Sequence, residues 1–205
     1  MEAMRVRQAM APGFTAYPAI KRLLDTFLAF IVLIVLCPCF VLIALLVRLD
    51  SPGPALFRQS RVGRKGKLFV LFKFRTMRWG TPDIPTDTMA RQSISPVTRL
   101  GRVLRRTSLD ELPQLVNILR GDMSFVGPRP ALPTQEFVNE SRRAVGVDTL
   151  LPGITGWAQV SGRDALSDVE KVACDRYYRE NLSLQLDANI VIRTVAAVFS
   201  GRGNR

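Results

Sequence analysis

Two adjacent carboxylates, Asp110 and Glu111, stand in the stretch RRTSLDELPQLVNILRGDMSFVGPRP, shortly after a pair of arginines. The chain contains no histidine, so an acid, base or nucleophile must be sought among its carboxylates, Lys, Tyr, Cys, Ser and Thr. A structural role for the pair is equally open. Ser108 and Glu111 have the spacing of a helix capping box, and carboxylates are stabilised at helix N-termini.

The composition indicates an anionic partner. Lys and Arg number 29 against 17 Asp and Glu, a formal net charge of +12, which favours nucleic acid, acidic lipid or a phosphorylated substrate. We expect no nucleic acid, because the chain has no recognised binding motif and its aromatic residues are not interleaved with the basic clusters. The lack of histidine also excludes Ser-His-Asp catalysis and histidine-bound zinc. The three cysteines are most simply packing residues.

The uncharged run TFLAFIVLIVLCPCFVLIALLV covers residues 26–47. As a helix it would be about 33 Å long, against roughly 30 Å of hydrocarbon, so a transmembrane span is one interpretation. Pro38 removes a helical hydrogen bond and pushes Cys37 out of the α region, which predicts a kink. Basic residues flank both ends, so the positive-inside rule favours neither orientation. A helix that enters the membrane, breaks at Pro38 and returns satisfies both ends, and the residues alone leave both alternatives open.

The rest of the chain predicts helices and one hairpin. Two apolar stretches, ALFRQSRVG and KLFVLFKFRTM, flank the turn sequence GRKG and favour a β-hairpin. The segment 79–96 has the composition of a loop. Further helices are predicted at about 97–106, 111–120, 167–181 and 187–199. The first of these is basic and amphipathic, which suits an anionic membrane surface or a solvated face over an ordinary core.

Three blocks, FKFRTM, SLDELPQLVNILRGDMSFVGPRP and PGITGWAQVSGRD, resemble the bacterial monotopic phosphoglycosyl transferases, the initiating sugar-phosphate transferases of glycoconjugate assembly. The resemblance covers about residues 19–199, and the chain looks like the minimal form of the family. The family's N-terminal element is a re-entrant helix broken at a proline, which Pro38 matches, although Cys37 stands where the family often has Ser.

The resemblance implies an α+β, mainly helical fold. It would combine a re-entrant membrane helix broken at Pro38, a β-hairpin, amphipathic interfacial helices and a compact cytosolic catalytic domain. The expected divisions are a basic leader at 1–18, the membrane helix at 19–50, the catalytic domain at 51–199 and a tail at 200–205. The implied location is the bacterial inner membrane, with the catalytic domain facing the cytoplasm and touching anionic membrane lipids. The oligomeric state is not predicted.

The resemblance also implies the reaction. A UDP-sugar and a polyprenyl phosphate, such as undecaprenyl phosphate, would give a polyprenyl diphosphate sugar and UMP. Asp110 would attack the phosphorus bearing the sugar and form an acyl-phosphate, and the lipid phosphate would then attack that intermediate. Mg²⁺ held by Asp110 or Glu111 is expected to offset the charge repulsion. A UDP-sugar hydrolase, in which water resolves the intermediate, is the alternative, whereas the intact acidic pair argues against an inactive scaffold.

Several other residues are expected to support this chemistry. Arg105 and Arg129 would donate to phosphate oxygens, Arg129 from a stiff mount between two prolines. The remaining candidate phosphate or substrate contacts are Arg163, Gln159, Lys73 and Arg75. Asp187 is expected to support the metal or to form a structural pair. The glycines of PGITGWAQVSGRD would permit close approach of the backbone to a ligand, and GPRPALPTQ with SGRDALSD suggests an N-acetylated amino sugar.

Overall fold

The computed structural model describes residues 17–81, 96–162 and 165–200. These residues are mainly helical, with two small sheets, so the predicted α+β class is confirmed. The helices are α1 (Tyr17–Val35), α2 (Cys37–Asp50), α3 (Arg99–Thr107), α4 (Gln114–Arg120), α5 (Glu136–Ala144), α6 (Trp157–Ser161), α7 (Asp168–Glu180) and α8 (Leu184–Ser200). The strands are β1 (Leu56–Val62), β2 (Leu68–Phe74), β3 (Ser124–Val126) and β4 (Gly153–Thr155).

The apolar run forms two helices that meet at a sharp bend. α1 ends at Val35, α2 begins at Cys37, and the two axes are bent by 64°. No single described helix is long and apolar enough to cross a membrane, whereas the bent pair together meets the length and composition of a span. The kink predicted at Pro38 is confirmed, but the expectation that Cys37 leaves the α region was wrong. Leu36 departs from helical geometry instead, with φ −89° and ψ 3°, because Pro38 is tolerated in the first turn of α2.

The bent pair packs against the hairpin through its inner face. Ala29 of α1 shares a buried cluster with Leu71, Leu115, Ile118 and Met123. A second cluster of Ile43, Val47, Phe74 and Leu104 joins α2 to β2 and α3. The outer face of the pair leaves large apolar side chains exposed, including Leu23, Phe27, Ile34, Val41, Leu45 and Leu49.

Two arginines, Arg22 and Arg75, hold the ends of the bent pair to the rest of the chain. Arg22 of α1 donates to the carbonyl oxygens of Ile118 at 2.7 Å and Leu119 at 3.3 Å, which caps the C-terminus of α4. Arg75, just after β2, donates to Ser51 Oγ at 2.9 Å and to the Val47 carbonyl oxygen at 3.3 Å, at the C-terminus of α2. Both ends of the pair are therefore bonded to one and the same domain.

The predicted hairpin is confirmed. β1 and β2 pair antiparallel, with Leu56 opposite Phe74 and Val62 opposite Leu68. The other edge of β2 is covered by Asn117 of α4, whose amide accepts from the Phe72 N–H at 3.1 Å and donates to the Val70 carbonyl at 2.7 Å. This side chain replaces a strand partner and fixes α4, which follows the acidic pair, against the hairpin.

A second, parallel sheet of β3 and β4 was not predicted. The two paired segments lie so close together that a Cβ on Gly153 would be 2.1 Å from the Gly127 nitrogen, and one on Gly156 would be 2.1 Å from the Gly127 carbonyl oxygen. Gly153 and Gly156 therefore admit the backbone of the segment that holds Arg129. The expected approach of a ligand to the glycines of this block stays a prediction.

The other predicted helices form with small shifts of their ends. α3 begins at Arg99 after a Thr98 cap, whose hydroxyl accepts from the Gly101 N–H at 2.9 Å. The helix predicted at 111–120 divides into a 3₁₀ turn, Leu109–Glu111, and α4, and it ends at Gly121 as predicted. α8 begins at Leu184, earlier than expected. Residues 82–95 of the loop predicted at 79–96 lie outside the described residues, as do residues 1–16 of the predicted leader and residues 201–205 of the predicted tail.

Candidate active site

Asp110 and Glu111 lie in the short 3₁₀ turn between α3 and α4. Ser108 before them adopts the left-handed conformation, with φ 57°, and its side chain caps nothing. The capping box that the spacing allowed is therefore not formed. Asp110 is 9% exposed, so its carboxylate is held inside the protein at the point where the chain turns from one helix into the next.

Three basic side chains surround the acidic pair. Lys73 of β2 donates from Nζ to Glu111 Oε1 at 2.7 Å. Arg129 Nη2 lies 3.5 Å from the same oxygen, and its side chain is half exposed. Arg105 of α3 acts electrostatically on Asp110. The structure thus brings together five of the residues predicted from sequence to form the site.

Burial and charge oppose each other at this cluster. Burial raises the pKa of Asp110 above its ordinary value, while Lys73, Arg105 and Arg129 oppose that rise and Glu111 adds to it. Burial lowers the pKa of Lys73, with Glu111 the main opposing influence. Burial likewise lowers the pKa of Arg105, and Asp110 opposes the change. The cations therefore keep Asp110 closer to its ionised form than burial alone would allow.

Arg129 is mounted by contacts to three separate parts of the chain. Its carbonyl oxygen accepts from Arg142 Nη1 of α5 at 2.9 Å, and Arg142 is anchored to the buried carboxylate of Asp175 at 2.6 Å. The neighbouring Pro130 carbonyl accepts from Arg61 of β1 at 3.1 Å. The Gly153 N–H donates to the Pro128 carbonyl oxygen at 2.9 Å. The predicted stiff mount thus relies on hydrogen bonds as well as on the two prolines.

Arg105 is positioned by a close helix contact. Its Nε donates to Thr76 Oγ1 at 2.8 Å, and the Thr98 N–H donates to the Thr76 carbonyl oxygen at 3.0 Å. Gly101, one turn before Arg105, lies so close that an added Cβ would be 2.0 Å from that carbonyl oxygen. A residue without a side chain is therefore required where α3 crosses the chain after the hairpin.

Other predicted site residues lie elsewhere. Arg75 is bonded to the end of α2 rather than to the acidic pair. Asp187 accepts hydrogen bonds from Tyr17 at 2.6 Å, Lys21 at 2.7 Å and Tyr178 at 2.7 Å, so it is a structural partner that joins α1, α7 and α8. Arg163 lies outside the described residues.

Gln159 of α6 lies beside Gly156, which packs against the backbone of Gly127 in the segment that holds Arg129. An added Cβ on Gly156 would lie 2.8 Å from its Oε1. Both polar atoms of its amide are buried and have no hydrogen-bond partner among the residues that the structure describes. The contact that Gln159 was predicted to make with a substrate stays a prediction.

Three structural contributors were missed by the sequence reasoning. Asn117, fully buried, interrupts the apolar pattern LVNIL, and a polar residue in such a pattern could have indicated a buried hydrogen bond. Asp175 lies between Val172 and Tyr178 on one buried face of α7, a three-residue spacing that the sequence contains. Arg142 gave no such signal, because its partners come from distant parts of the chain.

The donor set of the pair fits the expected Mg²⁺. Among the described residues, no group of three or more Asp, Glu, Cys or His side chains could enclose a metal ion. Mg²⁺ is commonly held by one or two carboxylates together with substrate phosphates and water. Asp110 and Glu111 supply such a pair of oxygen donors next to the basic side chains that would face a phosphate.

Comparison with known proteins defines the class. A family model described as bacterial sugar transferase matches residues 16–201. The chain therefore belongs to the bacterial sugar transferase family, the polyprenyl-phosphate sugar-phosphate transferases that the sequence blocks resemble. Its enzyme class is that of the phosphoglycosyl transferases.

Individual relatives show the range of this family. The chain is 42% identical over 187 residues to the UDP-glucose:undecaprenyl-phosphate glucose-1-phosphate transferase of Caulobacter vibrioides, covering 88% of this chain and 70% of the relative. It is 39% identical over 196 residues to the UDP-N-acetylgalactosamine-undecaprenyl-phosphate N-acetylgalactosaminephosphotransferase of Aeromonas hydrophila, covering 92% of this chain and only 46% of the relative. It is 37% identical over 198 residues to the exopolysaccharide production protein PSS of Rhizobium leguminosarum bv. phaseoli, covering 90% and 98%.

Proposed function

We propose that this protein transfers a sugar 1-phosphate from a UDP-sugar to a polyprenyl phosphate and releases UMP, through a covalent intermediate on Asp110. The observation that supports it best is the buried carboxylate of Asp110 beside Glu111, with Lys73, Arg105 and Arg129 around the pair. Relatives that act on undecaprenyl phosphate and UDP-sugars support the choice of substrates. The product would enter the assembly of a bacterial polysaccharide.

In the first step an Asp110 oxygen attacks the phosphorus that bears the sugar. A new phosphorus–oxygen bond forms, the bond to the bridging oxygen of the diphosphate breaks, and UMP leaves with that oxygen and its electron pair. Two like unit charges at about 4 Å repel by roughly 4 kcal/mol at an effective dielectric constant near 20. Arg105 and Arg129 would donate to the phosphate oxygens and reduce this repulsion.

In the second step an oxygen of the lipid phosphate attacks the same phosphorus. The acyl-phosphate bond breaks, the sugar phosphate passes to the lipid, and Asp110 is restored as a carboxylate. Lys73, which is paired with Glu111, would remain beside the two carboxylates while Asp110 forms and then loses its bond to phosphorus. Glu111 would position the metal or assist the lipid phosphate, and the variant described below separates these roles.

Asp110 and Glu111 would hold Mg²⁺ together with the phosphates of the donor. When bound, the ion supplies a positive charge that neutralises phosphate oxygens and the charge that develops on the leaving group. The protein residues do the rest: Asp110 forms the covalent bond, Arg105 and Arg129 orient the phosphate, and burial of the pair limits access of water.

We further propose that the bent pair α1–α2 enters the membrane and returns to the same side, with the catalytic residues on the cytoplasmic face. Arg22 near the start of α1 is bonded to α4, and the end of α2 is bonded to Arg75, just after β2. Both ends of the pair are thus held by one domain, and a straight span would separate them. The exposed apolar outer face of the pair would contact lipid. Basic residues lie at both ends of the run, in agreement with a cytoplasmic position for both.

A UMP-release assay tests the reaction. The purified full chain is mixed with a panel of UDP-sugars, including UDP-glucose and N-acetylated UDP-hexosamines, with and without undecaprenyl phosphate. We expect UMP and lipid-linked sugar only with Asp110 present, so Asp110→Asn should lose both UMP release and labelling by a radiolabelled donor. Asp168→Asn, at an exposed carboxylate of α7, is the matched control.

Two outcomes of this assay would change the assignment. Transfer by Asp110→Asn would show that Asp110 is not the nucleophile, and catalytic UMP turnover without lipid phosphate would indicate the hydrolase. Glu111→Gln is expected to be severely impaired, and trapped intermediate in that variant would assign Glu111 to the second step. The panel also tests the prediction of an N-acetylated amino sugar.

Thiol labelling in cells tests the membrane arrangement. Ala19→Cys and Pro52→Cys, in a background without the native cysteines, would introduce one exposed thiol in the first turn of α1, before the uncharged run, and one after α2. Both should be protected from a membrane-impermeant reagent added outside the inner membrane. Labelling of one and protection of the other would establish a span and reject re-entry.

A further inference from the structure

Two arginines from different elements lie over one phenylalanine ring on the outer face of the hairpin. The guanidinium of Arg120, at the end of α4, is 5.0 Å from the centre of the Phe72 ring, and that of Arg58 in β1 is 5.8 Å from it. Both arginines are exposed. With Ser60 and Val70 they border an open groove, which we name the hairpin groove.

The positive charge of the hairpin groove is not neutralised within the described part of the chain. Neither Arg58 nor Arg120 forms an ion pair with a described carboxylate. Cation–π contact with Phe72 orients the two guanidiniums but leaves their charges and most of their N–H donors available. Two such forks that border one groove fit the oxygens of a phosphate group.

Exposed apolar side chains continue from the hairpin groove along β2. Val70 and Leu68 are 46% and 61% exposed, and the register of the hairpin places them on the same face as Phe72. A soluble anion would use the arginines alone. A ligand that combines a phosphate with hydrocarbon would also cover this apolar strip, which is the chemistry of a phospholipid.

The groove also lies next to the place where the apolar run begins. Arg120 precedes Gly121, and an added Cβ on Gly121 would be 3.5 Å from Nη2 of Arg22. Arg22 itself is bonded to the end of α4, and the uncharged run starts at Thr26, one helical turn later. Arg120 of the groove thus lies near the level at which α1 would enter the bilayer.

We propose that the hairpin groove binds the phosphate of an anionic phospholipid through Arg58 and Arg120, while its acyl chains cover Val70 and Leu68. This inference rests on the membrane arrangement proposed above. The site is separate from the reacting phosphates, because Lys73 follows Phe72 directly in β2 and points to the opposite face of the hairpin, toward Glu111. The bound lipid would fix the height and orientation of the hairpin relative to the bilayer.

Lipid retention by the full chain tests the proposal. The protein is purified in detergent, mixed with phosphatidylglycerol or phosphatidylcholine, and analysed by native mass spectrometry. A basic residue near an anionic surface contributes roughly a fivefold gain in affinity, so Arg58→Gln with Arg120→Gln should bind phosphatidylglycerol about 25-fold more weakly. Arg176→Gln with Arg179→Gln, which removes the same charge from exposed positions of α7, should bind like the wild type.

Further variants and a competition measurement separate binding of a phospholipid in the groove from misfolding and from binding of free phosphate. Arg58→Lys with Arg120→Lys keeps the charge and should retain most of the binding, which separates a charge effect from misfolding. Equal loss in the α7 control, or equal retention of phosphatidylcholine by the wild type, would overturn the proposal. Displacement of phosphatidylglycerol by millimolar inorganic phosphate would identify a free-phosphate site and would also reject it.

Activity distinguishes this inference from the proposed reaction. In detergent, without added phospholipid, the Arg58→Gln/Arg120→Gln variant should release UMP at the rate of the wild type, because the groove is not in contact with the acidic pair. Lipid binding by a wild type that releases no UMP would reject the reaction but keep the groove. If the wild type releases UMP but the Arg58→Gln/Arg120→Gln variant binds phosphatidylglycerol as tightly as the wild type, the reaction is supported and the groove proposal is rejected.

Discussion

Arg142 Nη1 donates a hydrogen bond to the main-chain carbonyl oxygen of Arg129 at 2.9 Å. The other side of the same guanidinium donates twice to Asp175 Oδ2, at 2.9 Å and 2.6 Å, and Asp175 is only 1% exposed. The Arg142 side chain therefore connects the buried face of α7 to the segment that holds Arg129, and the Arg129 side chain faces Glu111. This connection makes Arg142 a positioning residue for Arg129.

Replacing Arg142 should reduce turnover through Arg129. We expect Arg142→Gln to lower kcat by about tenfold or more, because loss of a charge-assisted hydrogen bond to a buried carboxylate costs roughly 1.5–3 kcal/mol and releases the mount. In a double-mutant cycle with Arg129→Gln, the effect of Arg142→Gln should largely disappear. Arg143→Gln, at the exposed next position, should behave like the wild type, and additive effects in the cycle would contradict the positioning role.

The ionised carboxylate of Asp110 should lower the free energy of unfolding of the protein. Its pKa is raised in the folded state, chiefly by burial, so the native state binds this proton more tightly than the unfolded chain does. The resulting destabilisation develops as pH rises from the ordinary carboxyl value to the raised one and persists above it. Asp110→Asn should therefore raise the free energy of unfolding at pH 7 by on the order of 1 kcal/mol for each unit by which the Asp110 pKa is raised. Tm should rise accordingly.

Thermal unfolding at two pH values checks this. The difference in Tm between Asp110→Asn and the wild type should be larger at pH 7 than at pH 3, which lies below the ordinary pKa of an aspartate, so that the wild-type carboxyl is largely protonated in both the folded and the unfolded state. A stabilisation that is the same at both pH values would show that the charge of Asp110 is not its source.

Lys73 should set the acidic limb of the pH–rate profile. Among the charges that oppose the rise in the Asp110 pKa, Lys73 is the largest, so Lys73→Met should raise that pKa further. The nucleophile must be ionised, and the acidic limb of kcat/KM for UMP release should therefore move to higher pH. Lys67→Met, an exposed lysine of the same hairpin, is the control. An unmoved limb, at reduced rate, would assign Lys73 to phosphate binding alone.

Gly101→Ala should displace α3. The added methyl carbon would lie 2.0 Å from the Thr76 carbonyl oxygen, which is main chain and cannot rotate away. We expect a loss of about 1–3 kcal/mol in unfolding free energy together with a lower kcat, because α3 positions Arg105. Val103→Ala, on the exposed side of the same helix, should cost far less. Equal denaturation midpoints for the two variants would reject the steric explanation.

Asp187→Asn separates a structural role from metal support. Asp187 accepts from Tyr17, Lys21 and Tyr178 and is 6% exposed, so the change should lower the unfolding free energy by about 1–3 kcal/mol. The Mg²⁺ concentration for half-maximal UMP release should stay within twofold of the wild type. A large rise in that concentration, with unchanged Tm, would show that Asp187 supports metal binding.

The sequence by itself determined the local elements and the chemistry available to them. Apolar alternation on either side of GRKG defined the hairpin, Gly121 ended the helix after the acidic pair, and Pro38 required a break in the apolar run, since these features depend on neighbours in the chain. The lack of histidine limited the chemistry to carboxylates and basic side chains. Asp110, Glu111, Lys73, Arg105 and Arg129 were all named from sequence and meet in space.

Only the tertiary structure decided which basic residues serve the pair and which serve the scaffold. Lys73 and Arg75 are two positions apart and equivalent in sequence, yet one bonds Glu111 and the other caps α2. The glycines of PGITG pack against the backbone of Gly127, and Arg142 acts on Arg129 from a separate helix. Such roles depend on how distant elements cross, because a side chain's partner is fixed by packing and not by its position along the chain.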